Sequence, residues 1–192
     1  MDISTVEFHL KRAIQDGLGF DLNDPNLKDT PKRIAKMYCN EFFKNVGKEF
    51  TDFSLFPNSP TYNQIIMSDR IYFTSMCSHH FLPFSGHAWL LYIPNNHLIG
   101  LSKMARLIKH YSARPQLQEQ LCNDILFSFT EAVKPLGAML VMKATHCCMS
   151  CRGVYQYNGA GMVTSQISGC FLEFPEVKQE GLELIKLSIM DK

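Results

Sequence analysis

The order in which hydrophobic periodicity changes along this 192-residue chain restricts its possible folds more than any other feature. Val6, Leu10, Ala13, Ile14 and Leu18 recur at helical spacing and predict an amphipathic helix ending near the following glycines. A second helix is predicted from Thr30 as N-cap, with Pro31 in its first position and Ile34, Met37, Tyr38, Phe42 and Val46 on one face before Gly47. Thr51 to Thr61 has no period, contains Pro57 and Pro60, and reads as a linker. Beyond it the signal becomes strand-like (Gln64 to Met76, His87 to Ile93), then helical (Ser102 onward, then Pro115 to Val133), then strand-like again (Ala138 to Thr145, Met162 to Phe174). Val177, Leu184, Ile185 and Ile189 predict a closing helix. Strand, strand, helix, helix, strand, strand is the order of an α+β body: an antiparallel four-stranded sheet with two helices on one face. The predicted partition is a helical N-terminal arm (1–50), a linker (51–62) and the main body (63–192). An open sheet leaves two edges, and the last strand has no Pro or Lys guard, so pairing between subunits into a closed ring is expected.

A hydrophobic fraction of 46% and a charged fraction of 19% are those of a globular protein, and a net charge of +1 provides no global field for nucleic acid or an anionic membrane. The first twenty residues interleave charges every few positions, unlike a secretory leader. Apolar runs such as AWLLYI fall far short of the ~20 residues that span a bilayer. A cytoplasmic protein is expected, with any anionic ligand held by local charge.

Seven cysteines is an odd number, and four of them (Cys77, Cys147, Cys148, Cys151) lie beside histidines in two short clusters. In a reducing compartment that pattern points to metal or reactive thiols, with Cys39, Cys122 and Cys170 as core residues. Cys77 and His80 stand three apart in MCSHHF, a spacing at which one turn aims both at an ion. His146 and Cys148 stand two apart in THCCMSC, at the end of a predicted strand. Thiolate and imidazole donors favour zinc. Two sites are compatible with the spacing. Cys77, His80, Cys148 and Cys151 together close a structural tetrahedron, whereas without Cys151 three ligands leave a position for water. His79 and His146 are superfluous to a structural site and are candidate proton carriers in a catalytic one; the alternative for each is a core histidine bonded to a backbone carbonyl.

A local anion cradle is predicted in GLSKMARLI, where Ser102 begins a helix whose first turns carry Lys103 and Arg106. Arg33 and Arg152 are further candidate cations, Arg152 directly after the cysteine cluster. Gln118 and Glu119 open the next helix, where a carboxylate could accept two N–H donors from a guanine edge; a solvated acidic helix start is the alternative.

CSHHFLPFSGHAWLLYIP, GLSKMARLI, RPQLQEQL and ATHCCMSCRGV, in this order and separation, resemble the signature blocks of the GTP cyclohydrolase I family, with TPKRIAKMY and the weaker VTSQISGCF extending the likeness over about residues 30 to 172. The resemblance implies a tunnelling fold behind a helical arm, assembled as a homodecamer of two pentamers with active sites between subunits. It implies Zn2+ on Cys77, His80 and Cys148, with an open fourth position because the place of Cys151 is usually held by a non-ligand. It implies His79 and His146 as catalytic, Glu119 with Gln118 on the purine, and Arg33, Ser102, Lys103, Arg106 and Arg152 around the triphosphate. The implied reaction opens the imidazole ring of GTP at C8, releases formate and recloses to 7,8-dihydroneopterin triphosphate; folate, biopterin and deazapurine synthesis are all served by such chemistry. Ser78 stands where the family usually has Glu, Gln120 where Arg is usual, and Met162 where Thr is usual. Ser78 and Gln120 together remove one charge of each sign, an exchange that leaves no partner unpaired if the two form an ion pair in the family. The alternatives are a related purine-nucleotide cyclohydrolase of altered specificity and a non-catalytic pterin- or nucleotide-binding relative with a closed zinc.

Overall fold

The computed structural model describes residues 1–156 and 161–190. The arm opens with helix α1 (Ile3–Arg12), whose Asp2 cap accepts the Ser4 and Thr5 N–H groups at 2.9 and 3.3 Å. Helix α2 (Thr30–Met37) packs against α1. Thr30 is its first helical residue, not its cap: Asp29 holds the cap position without a side-chain bond, and Pro31 sits in the first turn, where its missing N–H costs nothing. Each helix runs into a single π-helical turn, Ala13–Gly17 and Tyr38–Phe42.

The expected linker is not featureless. Its strand β1 (Leu55–Pro57) pairs antiparallel with a later strand, β4 (His97–Ile99). Between them run β2 (Ile66–Cys77) and β3 (Pro83–Ile93), which pair antiparallel with a bulge between Ser68 and Ile71. Helix α3 (Leu101–Ser112), the two-residue strand β5 (Pro115–Gln116) and helix α4 (Gln118–Val133) follow, then β6 (Gly137–His146), the short helix α5 (Cys147–Ser150) and β7 (Gly161–Gly169). The chain closes with α6 (Cys170–Glu173) and α7 (Pro175–Met190).

The main sheet corrects the four-stranded expectation. It has five strands in the order β5-β2-β3-β6-β7, because β5 adds parallel to the end of β2 through Met76↔Pro115 and Cys77↔Gln116. Two residues carry no periodicity, and Pro115 ahead of Leu117, Leu121 and Ile125 at helical spacing reads as a helix start; the helix itself begins at Gln118. The run from Met162 to Phe174 is likewise not one strand. Gly169 adopts φ +55, a left-handed conformation that glycine tolerates, and the chain turns there into α6.

Alternation on the strands explains the layering. One face of β3 and β6 places Phe84, Leu90, Tyr92 and Leu140 against Leu107, Ile125 and Phe129 of α3 and α4. The other places Trp89, Leu91, Met139 and Val141 against Phe171 of α6 and Ile185 of α7. Helices therefore cover both faces, which is why β3 reads as apolar on both. Fully buried leucine, isoleucine or phenylalanine side chains each contribute about 1.5–3 kcal/mol, against about 1 for a helix cap, so the larger helix-on-sheet face dominates the stability of the body. Gly86 permits the close approach of β3 and β6, since a Cβ there would meet the Lys143 carbonyl.

Candidate active site

Three strands bring the two clusters together. Ser75 on β2 pairs with Phe84 on β3, and Phe84 pairs with His146 on β6, so these residues form a row across the sheet. Cys77 lies at the end of β2, and Cys148 lies in the first turn beyond β6. The chain after Cys77 doubles back at once: the Phe81 N–H donates to the Cys77 carbonyl and the Cys77 N–H to the Leu82 carbonyl, both at 2.9 Å. That turn returns His80 to its neighbour, with Cys77 Sγ and His80 Nδ1 3.9 Å apart.

Cys77, His80 and Cys148 offer ligand atoms all within 4.8 Å of one another. Tetrahedral zinc with two sulfurs and a nitrogen places its donors roughly 3.6–3.8 Å apart, so the cluster has the dimensions of such a site. Its electrostatics fit as well. Burial, and then the adjacent Cys77 thiol, push the Cys148 thiol above its ordinary range, and a cation between the two sulfurs relieves both effects. Cys151 is outside the cluster. Its exposed thiol turns back to the Cys147 carbonyl at 2.8 Å, the pattern of a helix-end contact. Among the described residues, the cluster therefore offers three candidate ligands and not four.

His146 is held on two sides. Its ring stacks on Phe84 at 4.6 Å and 3°. Its Nε2 is 2.8 Å from Gln118 Oε1. The Gln118 amide nitrogen donates to the Met142 and Met162 carbonyls, both at 3.2 Å, and to Thr164 Oγ1 at 3.1 Å. Carbonyls only accept, so the amide is oriented with its oxygen toward His146. Neutral His146 then carries its proton on Nε2, leaving Nδ1 as the free acceptor. Burial lowers the His146 pKa, with the Glu119 carboxylate opposing it. Gln118, expected to face a purine, has both ends of its amide engaged within the chain. Glu119, the next residue, is exposed at the head of α4.

His79 is exposed in the turn between Cys77 and His80, its ring 6.2 Å from that of His80. Lys103 and Arg106 lie one turn apart near the start of α3 and both bond to Asp52, Arg106 at 3.1 Å. Ser102 is the second residue of α3 and exposed; the cap is Gly100, so Ser102 does not cap the helix as expected. Arg33 on α2 is exposed and 3.8 Å from Asp29. Arg152 follows α5 on the surface and forms no ion pair among the described residues. A cavity of about 430 Å³ lies elsewhere, over Tyr72, His87, Trp89 and Lys143, and includes none of these residues.

The sequence profile of the GTP cyclohydrolase I family matches residues 8–186. The chain belongs to the GTP cyclohydrolase I family. Relatives bearing the name GTP cyclohydrolase 1 include one from Hydrogenobaculum, 40% identical over 171 residues (89% of this chain, 91% of the relative), and one from Sulfurihydrogenibium, 38% identical over 174 residues (91% and 90%). One from Clostridium perfringens is 38% identical over 176 residues, 92% of this chain and 94% of its own. The apo archaeosine synthase QueF-Like aligns with 57% of this chain and 97% of its own at TM-score 0.45 and 19% identity, too slight a likeness to carry an argument.

Ser78 and Gln120, which depart from the pattern implied by the family resemblance, both have local roles. The Ser78 N–H donates to the Gln116 carbonyl at 3.3 Å, setting the turn beside the head of α4. Gln120 Oε1 accepts the Leu117 N–H at 3.4 Å, as a helix-start residue does. Both are exposed, so neither substitution strands a buried charge. Phe84 and Asp52 are contacts that sequence reasoning missed. Phe84 reads as an ordinary core residue, and Asp52 sits in an aperiodic segment where nothing marks its partners.

Proposed function

We propose that the chain hydrolyses GTP at C8 of its purine, releases formate and recloses the product to 7,8-dihydroneopterin triphosphate. The observation that carries this reading is a three-ligand Cys77, His80 and Cys148 cluster beside an imidazole whose tautomer is fixed by a buried amide. Zinc, when bound there, polarises a water and brings its pKa toward neutrality. Nδ1 of His146 accepts a proton from the reacting atoms and returns it to the departing nitrogen, with His79 as the second carrier. Glu119 accepts the N–H donors of the guanine edge, and Gln118 serves through His146. Lys103, Arg106, Arg33 and Arg152, with Ser102, hold the triphosphate, whose remote binding energy positions the purine at the Cys77, His80 and Cys148 cluster.

We further propose a tunnelling-fold body assembled as a decamer of two pentamers. Support comes from β7, which pairs on one side only with β6, leaving its other edge open among the described residues. Among the described residues no helix is long and apolar enough to cross a membrane. The closed structural-zinc alternative is disfavoured by the position of the Cys151 thiol.

The test is incubation of the zinc-loaded protein with GTP, followed by detection of formate and, after oxidation, of a fluorescent pterin. Both products are expected; formation of neither overturns the reading. Ring-opened product without fluorescence would assign a cyclohydrolase that stops before reclosure.

A further inference from the structure

We propose that Asp52 is a resident counter-anion of the triphosphate subsite, which the phosphates of the substrate must displace, so that Asp52 sets the affinity of the enzyme for its nucleotide. The inference rests on the reading of Lys103 and Arg106 as phosphate-binding residues.

The two cations stand three residues apart on α3, and the two carboxylate oxygens of Asp52 divide between them. Oδ1 accepts from Lys103 Nζ, and Oδ2 accepts from Arg106 at 3.1 Å. The Lys103 side chain is only 14% exposed while those of Arg106 and Asp52 are 61% and 53% exposed, so the ammonium is turned inward toward the carboxylate rather than to solvent. The hydrogen bond from Lys103 is the main reason the Asp52 carboxyl lies below its ordinary pKa, and the aspartate is an anion at neutral pH.

Asp52 is delivered to this place by its backbone. Two residues later the Ser54 carbonyl accepts the N–H of Gly100, the cap residue of α3, at 3.0 Å, and β1 then pairs with β4 immediately before that helix. The segment is thus fastened across the start of α3, and Asp52 lies over its first turns. A carboxylate oxygen and a phosphate oxygen ask for the same donors in similar geometry. While Asp52 holds both, a phosphate gains them only by exchange, and a ligand without phosphates gains nothing from the exchange.

Asp52 and Arg106 are more than half exposed, so solvent screens the interaction and the effect is modest, about two- to five-fold in affinity. Steady-state kinetics of the zinc-loaded enzyme with Asp52→Asn are expected to show a KM for GTP about two- to five-fold lower and kcat/KM raised by the same factor. Inorganic triphosphate, used as a competitive inhibitor, tightens by a similar factor, whereas the inhibition constant of guanosine stays unchanged. Asp52→Ala should likewise lower the KM for GTP and tighten triphosphate while leaving guanosine unchanged. An unchanged or higher KM in both variants overturns the proposal and makes Asp52 a residue that orients the cations; so does equal tightening of guanosine. Arg106→Gln separates this from failure of the subsite reading. If its KM for GTP does not rise, the cations do not hold phosphate and that reading falls; if it rises while Asp52→Asn has no effect, only the present proposal falls.

Discussion

At the scale of single residues, the site depends on which sulfurs and which amide end face inward. Cys148 contributes to the ligand cluster and Cys151 does not, although both follow the same strand by a few residues. Cys151→Ser is therefore expected to keep one zinc per chain by elemental analysis, and Cys148→Ser to lose most of it; a Cys151→Ser protein emptied of zinc would restore the four-ligand description. Gln118 allows a second test. As a residue that positions His146, its replacement by Leu should lower kcat by about 10²-fold with little change in KM. A raised KM with unchanged kcat would instead make it a purine contact.

Elements were legible where they were long. The strands β2, β3 and β6 and the helices α3 and α4 announce themselves through periodicity, and Cys77, His80 and Cys148 through donor type. What escaped was short or non-local. β5 is two residues and β1 three, below any period, and α6 is hidden inside a run that looks like strand until Gly169 turns it. Gln118 reads as a surface helix start because nothing local shows that three acceptors await it on β6 and β7. Cys122 reports on the packing of α4 against β6, where its thiol faces the Leu140 carbonyl at 3.9 Å. Burial pushes it up from an ordinary value of 9.0 to about 11. Between those values the unfolded chain releases a proton that the folded chain keeps, so this thiol makes stability fall as pH rises through that window. Alkylation at pH 8 followed by mass spectrometry should label exposed Cys151 first and Cys122 only when α4 lifts. The turn after β2 meets the head of α4 through Ser78 and Gln116, and the pair Ser78→Glu with Gln120→Arg tests whether opposite charges couple there. Turnover of the double variant should exceed the product of the single effects; simple multiplicativity would mean that the two positions act independently.

For the whole molecule, an ion held by Cys77, His80 and Cys148 would tie strands β2 and β6, which are not neighbours. Free zinc at a hundredfold excess over its dissociation constant adds about 2.7 kcal/mol, which in a domain of this size is a shift of roughly 5–10 °C. Chelation should lower Tm by about that much in a thermal scan, and a Tm that ignores the chelator would mean that the ligands do not converge on an ion. The row of Ser75, Phe84 and His146 adds a condition on when the metal can arrive. A chain still emerging from the ribosome, finished only as far as β3, can present an ion with one thiol and its neighbouring imidazoles, too little to retain it. The second thiol, Cys148, reaches the cluster only when β6 has zipped onto β3, and a slip of one residue in that pairing would also send His146 to the opposite side of the sheet. The three-donor cluster and the oriented imidazole are thus completed by one and the same strand pairing, so a chain with β6 out of register has neither.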